Sequence, residues 1–198
     1  MRERITEERS FREFASRHGF TAAPGGGLSI QGTLDGVALS ISKVNRGQSR
    51  NSWLVTRFLA AAQAEIPADL VAYKPNFRWR FSGPRRISDS LGSGGLFGFV
   101  HHDPVGDPEL DRKLVIYAND VPLARALLTT PSVKAAVLAA LAAAGHIRIH
   151  ESQVAVELSE RRRGVLQLIS TADEVEAFAR TATDVVRALV AACRLSRY

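Results

Sequence analysis

At about 150 residues per domain, a chain of 198 residues is one domain or two small ones. Hydrophobic residues at 45% and charged residues at 23% give an ordinary globular composition, which excludes a collagenous, mucin-like or wholly disordered chain. Cys193 is the only cysteine, which excludes a disulfide scaffold, and the formal charge of +6 is uneven: residues 36–106 hold nine basic and four acidic groups.

In chain order, Thr6 followed by Glu7 and Glu8 places a capping hydroxyl and two acids at a helix start. Phe11, Phe14 and Ala15 recur at helical spacing and Gly19 is a stop, so a helix is expected over 6–18. Pro24 to Gly27 is a break. Leu28 and Ile30, then Val37, Leu39 and Ile41, alternate around Asp35-Gly36, a hairpin turn signal. A third strand is expected from Trp53 to Phe58 and a fourth from Leu70 to Lys74. A fifth, Phe77 to Phe81, would set three aromatics on one face and Arg78 and Arg80 on the other. Residues 82–106 lose all periodicity, and a loop of that length is either functional or mobile.

The second half opens with a strand expected over Lys113–Tyr117. Asp120 caps a short helix that tolerates Pro122 in its first turn, and Thr130 with Pro131 starts another. Val133, Ala136, Val137, Ala140, Leu141 and Ala144 form the buried stripe of that helix, which Gly145 ends. Ile147 and Ile149 alternate with His146, Arg148 and His150, and Val154, Val156 and Leu158 repeat the pattern after a tight turn at Glu151-Ser152. Arg161 to Gly164 reads as a turn and 165–169 as a strand. Thr171-Ala172-Asp173-Glu174 is a capping box, and Val175, Phe178, Ala182, Val185, Leu189 and Cys193 share one face of the helix behind it. The expected fold is α+β: antiparallel hairpins covered by N-terminal, central and C-terminal helices. One domain over 1–198 is expected, and the glycine-rich loop 82–106 leaves open a division into subdomains 1–81 and 107–198.

The longest apolar stretch, Ala135 to Ala144, is half of the roughly 20 residues that a membrane span needs, so no membrane insertion is expected. The N-terminus alternates charges where a signal peptide would carry an apolar core, and a lone cysteine suits a reducing compartment. Together these predict a cytoplasmic protein.

Two stretches invite a functional reading. Arg78 and Arg80, with Lys74, Arg85 and Arg86 beside them and aromatics between, offer an anion or nucleic-acid surface, although rings and charges face opposite ways. Leu96, Phe97 and Phe99, apolar residues amid glycines, offer an adhesive loop for a protein partner or a second copy. His101, His102 and Asp103 with Asp107, Glu109 and Asp111 have metal-ligand chemistry but no recognised ligand spacing, and a polar loop explains them as well. His146 and His150 with Arg148 between them read as the wet face of a strand, or as a pH-sensitive or anion-binding face. No nucleophile elbow, P-loop or dinucleotide fingerprint is present, and Cys193 falls on an apolar stripe, so neither an enzyme nor a bound cofactor or metal is expected.

The segment from Glu109 to Asp120, continued by Ala124-Arg125 and Leu128-Thr129, resembles a bacterial family known as a domain of unknown function. That family carries an acidic-F-x-K-x-F-x-V-Y-x-x-D segment, then A-R-x-x-L-T and a hairpin. Lys113, Tyr117, Asp120, Ala124, Arg125, Leu128 and Thr129 fit the pattern, while Leu110 and Leu114 stand where the family usually has phenylalanine. The resemblance covers roughly 107–158. It implies a buried strand running into a capped helix and carries no activity, cofactor or catalytic residue. Family members often have membrane-spanning helices ahead of this region, and this chain shows none in its sequence.

The expected function is therefore a non-catalytic cytoplasmic binding or adaptor module that engages a protein partner or forms a homo-oligomer. The alternatives are a nucleic-acid-binding protein using the basic aromatic strand, and an enzyme with an unrecognised site.

Overall fold

The computed structural model describes residues 2–23, 28–46, 53–74, 105–159, 161–162, 165–166 and 169–195. Helix α1 runs over Arg2–His18, so it starts ahead of the cap expected at Thr6. Thr6 lies inside the helix, where its carbonyl accepts from Ser10 Oγ at 2.9 Å. The inward face of α1 extends back from Phe14 and Phe11 through Ser10 to Glu7, all under 5% exposed. Lys43 pairs with Glu7, which lets a carboxylate sit on that face.

Strands β1 (Thr21–Ala22), β2 (Ser29–Leu34), β3 (Val37–Arg46), β4 (Trp53–Ala61) and β5 (Leu70–Tyr73) follow. The β2–β3 turn has φ of 50° at Asp35 and 81° at Gly36, the two-residue hairpin that Asp-Gly favours. At Gly32 of β2 an added Cβ would lie 2.6 Å from the ring of Phe20, which also meets the Phe14 ring edge-on at 5.0 Å. The strand expected over 77–81 lies outside the described residues.

Where a strand was expected from Lys113, the chain first forms a short helix, α2 (Pro108–Lys113). Asp107 caps it by accepting from the backbone N–H groups of Glu109 and Leu110, and Pro108 takes the first turn. Strand β6 (Val115–Ala118) consequently starts two residues later than the alternation suggested. Helix α3 (Val121–Leu128) is capped by Asp120 as expected, with Leu123 N–H donating at 2.9 Å. Helix α4 (Pro131–Ala143) begins at the expected residue, but Thr130 makes no capping bond. Its hydroxyl instead donates to the carbonyl of Ala126 in the last turn of α3, because the two helices meet at this corner.

Strands β7 (Gly145–His150) and β8 (Gln153–Ser159) are joined through Glu151 and Ser152, with φ of 47° and 61°. Contacts from outside hold this strained turn: Ser152 Oγ accepts from Ile66 N–H and Asp69 accepts from Glu151 N–H. Short strands β9 (Arg161–Arg162) and β10 (Val165–Leu166) pair with each other apart from the main sheet, and Ile169 is a buried core residue outside any strand. Helix α5 (Ala172–Leu195) opens with the expected capping box, in which Glu174 N–H donates to Thr171 Oγ1 and the Glu174 carboxylate accepts from Thr171 N–H.

The main sheet has the order β1-β2-β3-β4-β8-β7-β5-β6, with every neighbouring pair antiparallel. Strands distant in sequence interleave: β8 pairs with β4, and β5 lies between β7 and β6. Helices α1, α5, α4 and α3 lie along one face, so the fold is α+β as expected. Under them one apolar cluster gathers Ile41, Phe58, Leu70, Ile147, Val156 and their neighbours. Phe58 meets the Phe178 ring of α5 at 5.7 Å.

Candidate functional site

The residues between these core positions point to the opposite face, and the register aligns them in rows across the strands. One row runs Ser42, Arg57, Glu157, His146, Tyr73 over β3, β4, β8, β7 and β5. The next runs Gln31, Ser40, Leu59, Ala155, Arg148, Val71 and Tyr117. A third runs Thr33, Ala38, Ala61, Gln153 and His150.

The first row carries most of the charge. Arg57 Nε donates to Glu157 Oε1 at 2.8 Å, and His146 Nδ1 lies 3.7 Å from Glu157 Oε2. Glu157 is 6% exposed, so its carboxylate depends on these partners for the hydration it has lost. Tyr73 stacks on Tyr117 at 6.2 Å. Burial, then its hydrogen bond with Tyr117, pushes the Tyr73 phenol well above its ordinary value. In the third row His150 Nδ1 lies 3.1 Å from Asp69 Oδ1.

Toward β2 and β3 the face changes character. A shallow groove of about 680 Å³ crosses it, lined by small and uncharged side chains including Thr33, Ala38, Ser40, Ala61 and Gln153. A smaller cavity of about 250 Å³ lies on the helical side between Ala143 of α4, Leu158 of β8 and Phe178 of α5.

Of the residues singled out from the sequence, Lys74 is described: it is exposed, and its Nζ donates to the carbonyl of Ala142 in the last turn of α4 at 3.4 Å. Arg78, Arg80, Arg85, Arg86, Leu96, Phe97, Phe99, His101, His102 and Asp103 lie outside the described residues. The acids that followed them in the sequence have structural tasks. Asp111 accepts from the N–H groups of Val105 and Gly106, and Asp107 and Glu109 both pair with Lys134 of α4. The Lys134 hydrogen bond holds the Asp107 carboxyl below its usual range, and Lys113, then Lys134, does the same for Glu109. His146, Arg148 and His150 share the face away from the helices, as the alternation indicated. The sequence reading missed the pairing of Arg57 with Glu157, whose partners are 100 residues apart. The signal was a charge at the outward position of two apolar strands, Arg57 before Phe58 and Glu157 between Val156 and Leu158.

Among the described residues, an antiparallel sheet with helices packed on one side defines an α+β fold, whose other face is exposed toward β2 and β3 and buried at Val71, Val115 and Tyr117 of β5 and β6. The chain is similar in fold to the crystal structure of the mycobacterial trehalose monomycolate transport factor A, TtfA, with a TM-score of 0.57 and 12% sequence identity. The likeness covers 92% of this chain and 93% of that one, and it shows a shared fold. No family model and no curated protein matches the chain. Among the described residues no single helix is long and apolar enough to cross a membrane.

Proposed function

We propose that the chain is a non-catalytic binding module that engages a protein partner through the accessible part of the sheet face away from its helices. One observation carries this reading: among the described residues the helices occupy one side of the sheet, and on the other, toward β2, β3 and β4, accessible Gln31, Thr33, Ser40, Leu59 and Gln153 share a face on a rigid scaffold. Half-buried Arg57 and His150 and exposed Gln153 supply polar contacts that give such a surface its specificity. The charged groups met on it are tied into pairs rather than poised for proton transfer, which supports binding over catalysis. The structural neighbour is described as a transport factor, a role compatible with a module that binds. The lone cysteine supports action in a reducing compartment, the cytoplasm.

The test is a photo-crosslinking amino acid placed at Leu59 on that face and, separately, at exposed Ala139 on the outer side of α4. Irradiated in its own cells, the Leu59 variant should give a discrete protein adduct that the Ala139 variant does not. Adducts of equal yield from both positions, or none from Leu59, overturn the reading.

A further inference from the structure

The groove across β2, β3 and β4 differs in chemistry from the charged row beside it. Among the described residues, no Lys, Arg, Asp or Glu lines it. At its rim His18 is engaged from below, with Nε2 3.0 Å from Glu176 and its ring 4.7 Å from Phe14. The register sorts the remaining side chains. Thr33 and Gln153 stand at the two ends of one row with Ala38 and Ala61 between them, and Gln31 and Ser40 stand beside Leu59 in the next. Hydroxyls and carboxamides thus surround a floor of two alanines and one leucine.

This lining discriminates between ligand classes. Among its described lining residues a phosphate or carboxylate would meet no Lys or Arg, and a cation would meet no carboxylate. A wholly apolar ligand would strip water from hydroxyls and carboxamides and give nothing back. A hydroxyl or a carboxamide both donates and accepts, and so does each hydroxyl of a sugar ring. The C–H face of such a ring matches a floor of methyl groups, and Ala38 and Ala61 leave the room for it that larger side chains would fill. We propose that this groove is a binding subsite for a neutral, hydroxyl-rich group of the saccharide class. It shares no residue with the Arg57–Glu157–His146 row but includes Leu59; crosslinking at Leu59 reads out a protein partner and the sugar titration below reads out this subsite, so the two failures are distinguishable.

The experiment titrates the full ¹⁵N-labelled chain with glucose and with maltose, and in parallel with glucose 6-phosphate, following backbone amide shifts. The neutral sugars should give saturable shifts confined to 31–33, 38–40, 59–61 and Gln153, with Kd on the order of millimolar, and the phosphate should bind several-fold more weakly. Gln153→Ala and Ser40→Ala should each weaken binding about 5-fold, the loss of one hydrogen bond. Ala61→Leu, which fills the floor, should abolish it. Should Ala61→Leu fail to fold, the exposed Gln153→Ala substitution carries the decision. The proposal is overturned by an absence of shifts up to about 100 mM sugar, by tighter binding of the phosphate, or by unchanged affinity in both Gln153→Ala and Ser40→Ala.

Discussion

The two faces of the central strands differ by a single residue step. Phe58, Val156 and Ile147 face the helices and are fully buried; their neighbours Arg57, Glu157 and His146 face the other way and form a polar row. The covered face is held by burial of apolar area, which is non-directional and tolerates exchange of one hydrocarbon for another. The opposite face mixes buried apolar residues, Val71 and Tyr117 among them, with polar groups held by named partners at fixed distances, Arg57 to Glu157 above all. A shift of one residue in any of these pairings would exchange the two sets, so the contrast itself fixes the register.

The largest expected effect lies on the covered side. Phe58→Ala should cost about 3–5 kcal/mol in urea unfolding, because its fully buried ring leaves a cavity against Phe178. Leu59→Ala, one step along on the opposite face, should cost under about 1 kcal/mol. Equal costs would mean that the opposite face is as tightly packed there as the core, which would erase the distinction between them.

A smaller effect belongs to the polar row. Glu157→Leu should cost on the order of 1–3 kcal/mol, since it strips Arg57 of the carboxylate it bonds. The double substitution Arg57→Met with Glu157→Leu should recover part of that loss, because an apolar pair of similar volume replaces a half-buried ion pair. A double variant as unstable as the two single costs added together would show that the two residues act independently.

The smallest effect is a pH dependence at the start of α5. The backbone N–H of Ser170, with help from its hydroxyl and from Thr171 N–H, holds the Glu174 carboxyl below its ordinary range. A depressed folded-state value makes this contribution complete above about pH 4.3 and lost as the pH falls through that lowered value. Wild type should therefore be more stable than Glu174→Gln at pH 7, with the gap closing in acid. A gap that stays constant from neutral to strongly acidic pH would show that the carboxylate charge has no part in the cap.

Much of the local structure was legible in the sequence because its causes are local. Asp120 caps α3, Thr171 and Glu174 box the start of α5, and Asp35-Gly36 turns the β2–β3 hairpin through bonds that span four residues or fewer. The signal for α2 was also present, as Asp107 followed by Pro108 and Glu109, but the alternation running into Tyr117 outweighed it in the reading. Thr130 shows the limit of such signals: it stands at a cap position, yet its hydroxyl goes to the carbonyl of Ala126 on the preceding helix. The candidate site was legible only in part. His146, Arg148 and His150 could be assigned to one face, whereas the groove between Thr33 and Gln153 could not be seen, since its walls come from strands far apart in the chain.

By itself, then, the sequence determined most of the longer strands and helices and which side of each is apolar, because periods of 2 and 3.6 residues are written in neighbouring positions. Only the tertiary structure decided the strand order, which sets β8 between β4 and β7 and brings Arg57 to Glu157. It alone decided that the packed helices among the described residues lie on one side of the sheet. The physical reason is that alternation gives each strand an inside and an outside but no partner. Pairing is settled by long-range hydrogen bonds and by the one arrangement in which all the apolar faces are buried together.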